Sequence, residues 1–141
     1  MSKDSFGDIP GTRTAVAHIP ALGADAATIV YPIFRAPDAC IVTAVNVVPQ
    51  AAFTGATGAC KNLNIIDAGT AGVGSTEVGN LDMITGVNFV ALDSKNIPLN
   101  ATYLAPGVTM VEGDTLVLQI EDVGTSPAFP AIEVYVEYKI T

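Results

Sequence analysis

The residues best suited to nucleophilic chemistry are one histidine and two cysteines. His18 is the only histidine of the 141-residue chain, and Cys40 and Cys60 are its only cysteines. A thiolate beside an imidazole base would be a nucleophile, and the sequence leaves such a couple open. Neither cysteine has the context of a catalytic motif, and no third residue stands out as an orienting group. We therefore expect His18 to be a strand histidine at a sheet edge or an interface, and we expect no enzymatic activity.

A glycine-rich segment, residues 69–76, comes close to a phosphate-binding loop. Gly69 and Gly74 have the required spacing, and Thr76 would supply a hydroxyl for magnesium. Ser75 stands where that motif has its lysine, so a bound phosphate would lack its charged partner. We expect a hairpin loop here, open to contact with a partner, and no nucleotide or other cofactor.

The carboxylates are numerous but dispersed. Glu133 and Glu137 share one strand face, where four residue rises put their Cα atoms about 13 Å apart. Glycosidases hold their two carboxylates about 5–9.5 Å apart. The other acidic residues lack the dense spacing of a calcium loop, although an ion held between loops stays open. One histidine and two separated cysteines predict no zinc site.

Charge and hydropathy exclude two classes of partner. Fourteen acidic residues oppose six basic ones, for a net charge of −8. This disfavours nucleic-acid binding, which requires lysine and arginine to displace phosphate counterions, and it disfavours anionic membranes.

The uncharged run of residues 39–60 contains Asn46, Pro49 and Gly55, which argue against a membrane helix. No secretory signal is visible at the first residues.

The last twelve residues carry the clearest structural pattern. Five apolar or aromatic residues alternate with Glu133, Tyr135, Glu137 and Lys139, and a period of two is typical of a strand with one buried face. The apolar residues are Ile132, Val134, Val136, Tyr138 and Ile140. Residues 115–121 alternate in the same way, and residues 40–48 are β-branched and apolar.

These patterns predict an all-β fold, an antiparallel β-sandwich or jelly roll of about eight strands, with little helix. Further strands are expected at residues 28–35, 63–66, 88–92 and 99–104, while residues 78–84 are ambiguous. Pro32 restricts the first of these strands to a sheet edge or a bulge. Gly113 and Asp114 predict a turn. A hairpin of residues 39–49 with 60–68 would hold the two thiols far apart, reduced and buried. An intersubunit bridge or a different strand arrangement stays open.

The first 26 residues differ from the remainder. We expect residues 1–26 to form an extended arm and residues 27–141 to form the sandwich domain. Ala15, Ala17 and Ile19 fit a short edge strand that Pro20 ends. Partner contacts are predicted at Lys3, Phe6, Arg13, His18 and Tyr135. The mean hydropathy of +0.46 is high for a small sandwich, whose single interior can bury only part of the apolar residues. The surplus of apolar residues indicates that subunits cover one another by self-association.

Four segments together resemble a known family. They are residues 34–50, 63–72, 111–118 and 132–138, within a resemblance that spans residues 28–138. They resemble the β-sandwich head decoration, or cement, proteins of tailed bacteriophages. The resemblance implies a protein made in the host cytoplasm that binds the outer capsid surface of the virion, often as a homotrimer at three-fold positions. Its partner would be the major capsid protein, and no catalytic residue is implied.

Two other interpretations stay open at this point. The first is a tail, fibre or head–tail component of a virion, since the sequence does not give the position of the chain on a particle. The second is a surface-displayed module that binds a host or a glycan, with Tyr31, Tyr103 or Tyr135 as contacts.

Overall fold

Two antiparallel sheets pack face to face in the computed structural model, which describes residues 11–141. Lys3 and Phe6 lie outside the described residues. The described part contains nine strands and one helical turn, so the predicted all-β sandwich is confirmed. The elements are β1 (Arg13–Ile19), β2 (Ile29–Arg35), β3 (Cys40–Pro49), β4 (Cys60–Gly69), β5 (Thr76–Asp82), β6 (Lys95–Ile97), α1 (Ala101–Leu104), β7 (Val108–Met110), β8 (Thr115–Val123) and β9 (Ile132–Ile140).

The chain passes repeatedly from one sheet to the other. The first sheet has the order β1-β9-β3-β6, with β7 also paired to β3, and the second sheet has the order β2-β8-β4-β5. Among the described strands, only the β4–β5 and β6–β7 connections stay within one sheet. Most pairings therefore join distant parts of the sequence.

β9 is the strand that organises the first sheet, because it pairs with β1 on one side and β3 on the other. Ile132, Val134 and Val136 are buried, whereas the intervening side chains are half-buried on the outer face. The alternation predicted for this segment is confirmed. β1 forms the edge predicted from Ala15, Ala17 and Ile19.

The chain therefore enters the sheet before residue 26. Residues 13–19 are paired with β9 along their whole length. The division into an arm and a domain at residue 26 stays a prediction, but part of the predicted arm is a strand of the sandwich.

Two local signals in the sequence match the structure. Pro32 lies in β2, which is the edge strand of the second sheet, and the register shifts between Pro32 and Phe34. Gly113 has a φ of 89°, and Asp114 Oδ2 accepts a hydrogen bond from the Val111 amide at 2.9 Å. This turn reverses the chain into β8, as predicted.

The predicted hairpin between the two cysteine-bearing strands is wrong. β3 belongs to the first sheet and β4 to the second, so the segment between them crosses the sandwich. Phe53 on this crossing is buried, and Gly55 packs where a Cβ atom would collide with the carbonyl oxygens of residues 83, 84 and 87. The predicted state of the thiols is confirmed, since Cys40 and Cys60 are both free and buried.

Two predicted strands are also wrong. Residues 99–104 bend into α1, where the Tyr103 amide donates to the Asn100 carbonyl. This helical turn moves the chain along β3, which pairs with β6 at one end and β7 at the other. Residues 88–92 contribute one isolated bridge between Phe53 and Phe89, and the chain then turns at Leu92. Tertiary packing, rather than β-propensity, determines the backbone conformation of both segments.

Three phenylalanines from three loops close one end of the sandwich. The Phe129 ring centroid lies 4.9 Å from that of Phe53 and 5.4 Å from that of Phe89. We call these residues the phenylalanine cluster. The packed rings hold together the loops at this end of the sandwich, which also carry exposed side chains.

The long uncharged run forms β3 and the crossing that follows it. Within residues 11–141 no helix is long and apolar enough to span a membrane.

Candidate interaction surfaces

The outer face of the first sheet brings together residues that are distant in sequence. Val16 on β1, Tyr135 on β9, Asn46 on β3 and Asn96 on β6 lie side by side in register. The inward side chains of these strands are fixed by the core, so the strand period forces these four residues outward. Tyr135 therefore lies between β1 and β3 on the outer face of the first sheet.

Glu133 links Tyr135 to His18 on this face. Its Oε2 accepts a hydrogen bond from the Tyr135 hydroxyl at 2.7 Å, and its Oε1 lies 3.7 Å from His18 Nδ1. The Glu133 carboxylate holds the pKa of Tyr135 above its ordinary value, because the hydrogen bond and the negative charge both favour the neutral phenol. The carboxylate thereby fixes the ring against the sheet.

A depression of about 300 Å³ lies beside the Tyr135 ring on the outer face of the first sheet. We call it the outer-face depression. Its lining residues are Thr14, Asn46, Val48, Ser94, Tyr135 and Glu137. The surface thus combines an aromatic ring, aliphatic carbons, hydroxyls, an amide and a carboxylate.

The structure places the predicted contact residues in different regions. His18 and Tyr135 are brought together through Glu133. Arg13 lies at the opposite end of β1 and pairs in register with Tyr138, on the side of the strand that bears Ala15. Lys3 and Phe6 fall outside the described residues, so contacts there stay a prediction.

His18 is not coupled to a thiol. Its side chain is 77% exposed on the outer face, whereas Cys40 and Cys60 are buried. Burial raises the pKa of both thiols, and nearby carboxylates raise it further, so this environment favours the neutral thiol over the thiolate. The residues that the structure describes contain no group of three or more side chains suited to a metal ion.

A second exposed surface lies in residues 83–94, and sequence reasoning missed it. Val90 and Leu92 are 62% and 75% exposed. Leu92 has a φ of 63°, which is an unusual conformation for a bulky residue, and its amide donates to the Pro49 carbonyl at 2.8 Å. Phe89 anchors the same segment in the phenylalanine cluster. The fold thus holds two apolar side chains in water at a fixed position.

The hairpin loop predicted around the glycine-rich segment is present between β4 and β5. Gly74 packs against the backbone of Ala68, and the Gly74 amide donates to the Ala68 carbonyl at 2.8 Å. Val73 at its tip is 84% exposed. The loop closes on its own backbone, and its tip offers an apolar contact.

A buried lysine stabilises the sheet but does not face a site. Lys61 is fully buried, and its Nζ donates to the Ala26 carbonyl at 3.0 Å and to Asp122 Oδ1 at 2.7 Å. The Ser126 hydroxyl also donates to Asp122. Hydrogen bonds from Lys61 and Ser126 hold the pKa of Asp122 below its ordinary value. These contacts explain the lysine without any catalytic role.

The fold has relatives among solved structures. No family model matches the sequence, and no curated protein matches it significantly. A chain of the Cyanophage Pam1 capsid asymmetric unit is similar with a TM-score of 0.51 and 21% identity, over 96% of this chain and 88% of that chain. At this identity the likeness is one of fold.

Two weaker likenesses support no conclusion. The crystal structure of FLHE has a TM-score of 0.48 and 17% identity, over 92% of this chain and 96% of that chain. A structure of infectious bursal disease virus, Gx strain, has a TM-score of 0.37 and 11% identity, over 92% of this chain and 32% of that chain.

Proposed function

We propose that this protein is a structural virion component that decorates the outer surface of a phage head. It would bind the major capsid protein as a homotrimer, bridge neighbouring capsomers and stabilise the shell, with no enzymatic activity and no cofactor. The observation that carries the proposal is the fold shared with a chain of the Cyanophage Pam1 capsid asymmetric unit, over 96% of this chain and 88% of that chain. Because both coverages are high, the likeness concerns a whole small sandwich.

The charge of the chain supports a position outside the shell. A net charge of −8 would be repelled by packaged DNA, whereas an outer surface imposes no such cost. The protein would be made in the host cytoplasm and would join the head from outside.

The exposed apolar side chains supply candidate contacts with the capsid. Val90 and Leu92 are held in a defined position by the phenylalanine cluster, so little conformational entropy is lost when a partner covers them. Lys3, Phe6 and Arg13 are the proposed contacts at the other candidate region, around the first residues of the chain.

The mechanism is multivalent attachment. Once one copy of a trimer is bound, the remaining contacts become intramolecular, so modest interfaces add up to strong retention. A protein that binds only the expanded shell stabilises that state by mass action. Both effects require several contacts per oligomer rather than one large interface.

The experiment mixes purified protein with heads of its own virus that lack it, before and after expansion, and measures bound copies by co-sedimentation. The proposal expects saturable binding to expanded heads. Absence of binding, or enrichment on tails instead, would overturn it.

Two variants divide the proposed contacts. Removal of residues 2–10 deletes Lys3 and Phe6 but leaves β1 intact, and Leu92→Asp places a charge in the apolar loop. Each should reduce occupancy on heads. Leu104→Asp, at a residue of α1 that is 68% exposed, is the matched control and should bind normally.

A further inference from the structure

The outer-face depression has the volume of a small-molecule site. Its volume of about 300 Å³ lies at the lower end of the range for ligand pockets, about 300–1,000 Å³. Tyr135 and Val48 provide apolar carbon, while the other lining residues are polar. This feature is distinct from the proposed attachment through Val90, Leu92 and the first residues, because five of its six lining residues lie on β1, β3 and β9.

The polar groups of the depression have hydrogen-bonding capacity to spare. Asn46 Oδ1 accepts from Asn96 Nδ2 at 3.1 Å, which turns the Asn46 Nδ2 donor the other way. Within residues 11–141, Asn46 Nδ2, the Glu137 carboxylate and the hydroxyls of Thr14 and Ser94 have no protein partner. An acceptor carboxylate and a donor amide thus flank one aromatic ring, with a hydroxyl on each side.

This arrangement suits a ligand whose hydroxyls both donate and accept. One hydroxyl of a sugar can donate to Glu137 while it, or its neighbour, accepts from Asn46. The C–H face of a sugar ring is apolar and can pack against the Tyr135 ring. The hydrogen bond to Glu133 already fixes that ring, so little entropy is lost when a ligand packs on it.

The charges of the face select the ligand further. Glu133 and Glu137 disfavour phosphates and acidic sugars. Glu137 is the one acidic side chain among the lining residues, and Glu133 is already engaged by Tyr135 and faces His18. The lining offers one carboxylate together with an amide and two hydroxyls. This set suits a neutral ligand with several hydroxyls better than it suits a cation.

We infer that the outer-face depression around Tyr135, Asn46 and Glu137 binds a neutral saccharide unit, such as a terminal residue of a cell-surface glycan. The exposed sheet face would recognise one sugar ring at a time. Useful strength would then come from several copies displayed together.

The test is titration of the isotope-labelled protein with methyl glycosides of glucose, galactose, mannose and N-acetylglucosamine at millimolar concentration, followed by NMR. At least one glycoside should give saturable shifts confined to the amides of β1, β9 and β3 that surround Tyr135. Tyr135→Ala should weaken that binding by about tenfold. Glu137→Ala, which keeps the ring, should weaken it as well.

The controls distinguish recognition from general contact. Val30→Ala alters an exposed residue on the second sheet and should leave the affinity unchanged. Folding of every variant is read from the same spectra. The inference is overturned if no glycoside binds, if Tyr135→Ala and Glu137→Ala bind as well as the unaltered protein, or if a lysine-rich peptide shifts these amides while the sugars do not. None of these results bears on attachment to a phage head.

Discussion

Lys61 and Asp122 form an ion pair in which the lysine side chain is fully buried and Nζ lies 2.7 Å from Oδ1. The same ammonium donates to the Ala26 carbonyl, which belongs to the crossing from β1 to β2. Asp122 in turn accepts from Ser126 in the loop before β9. One buried charge thus fastens two inter-sheet connections to β4 and β8, although no feature of the sequence marks Lys61 as different from other lysines.

Replacement of this lysine should destabilise the fold. Lys61→Met approximately keeps the volume of the side chain but leaves the part-buried Ala26 carbonyl without its donor, at a cost of about 1–3 kcal/mol. Urea unfolding measures the difference. Lys139→Met, at an exposed position of β9, should change the free energy of unfolding by about 0.5 kcal/mol or less. Equal effects of the two substitutions would contradict the structural role of Lys61.

The pH dependence of stability should report on Asp122. Its pKa in the folded protein is lower than its ordinary value of 3.8, so the unfolded chain binds protons more readily than the folded one. The stabilisation is therefore complete above about pH 4 and is lost as the pH falls through the folded-state pKa. Asp122→Asn should flatten this acid limb of the unfolding midpoint. An unchanged acid limb in the variant would rule out the assignment.

The phenylalanine cluster should contribute strongly to stability. Phe129 is 1% exposed and contacts two other rings, so Phe129→Ala should cost about 3–5 kcal/mol through lost burial and a residual cavity. Val73→Ala, at a residue that is 84% exposed, is the comparison and should have little effect. Thermal unfolding followed by circular dichroism measures both. A cost below 1 kcal/mol for Phe129→Ala would contradict a stabilising role of the phenylalanine cluster.

Gly55 should not tolerate a side chain. An added Cβ would collide with three backbone carbonyl oxygens, so Gly55→Ala must shift the segment before β6, at a cost of about 1–3 kcal/mol or more. Gly23 has no atom within 4 Å of the same position, and Gly23→Ala is the matched control. Chemical denaturation gives the free energy of unfolding of both variants. The difference between them separates the effect of steric crowding from the effect of the alanine on the entropy of the unfolded chain. Comparable stabilities would show that the crossing between β3 and β4 is looser than described.

Tyr135 should ionise at a higher pH than the ordinary tyrosine value, because its phenol donates to the Glu133 carboxylate. NMR titration of the ring carbons reads the pKa of each tyrosine separately. Glu133→Gln removes the negative charge and should lower the Tyr135 pKa. A Tyr135 pKa that is insensitive to this substitution would show that the ring is oriented by other contacts.

Features that depend on neighbouring residues could be predicted from the sequence, whereas features that depend on contacts between distant residues could not. The period of two in β9, the bulge at Pro32 and the turn at Gly113 depend on neighbouring residues, and each was predictable. The path of residues 99–104 depends on the need to pair β6 and β7 with the same strand, which no local pattern encodes. The link between Tyr135 and Asn46 depends on a register set across 89 positions of sequence, and the phenylalanine cluster joins three separate loops.

The most direct measurement of the central claim is a cryo-electron density map of heads with and without this protein. The proposed function predicts difference density on the outer surface, shaped like a two-sheet sandwich and touching more than one capsomer. Density confined to the tail or to the inside of the shell, or no difference at full expression of the protein, would contradict it.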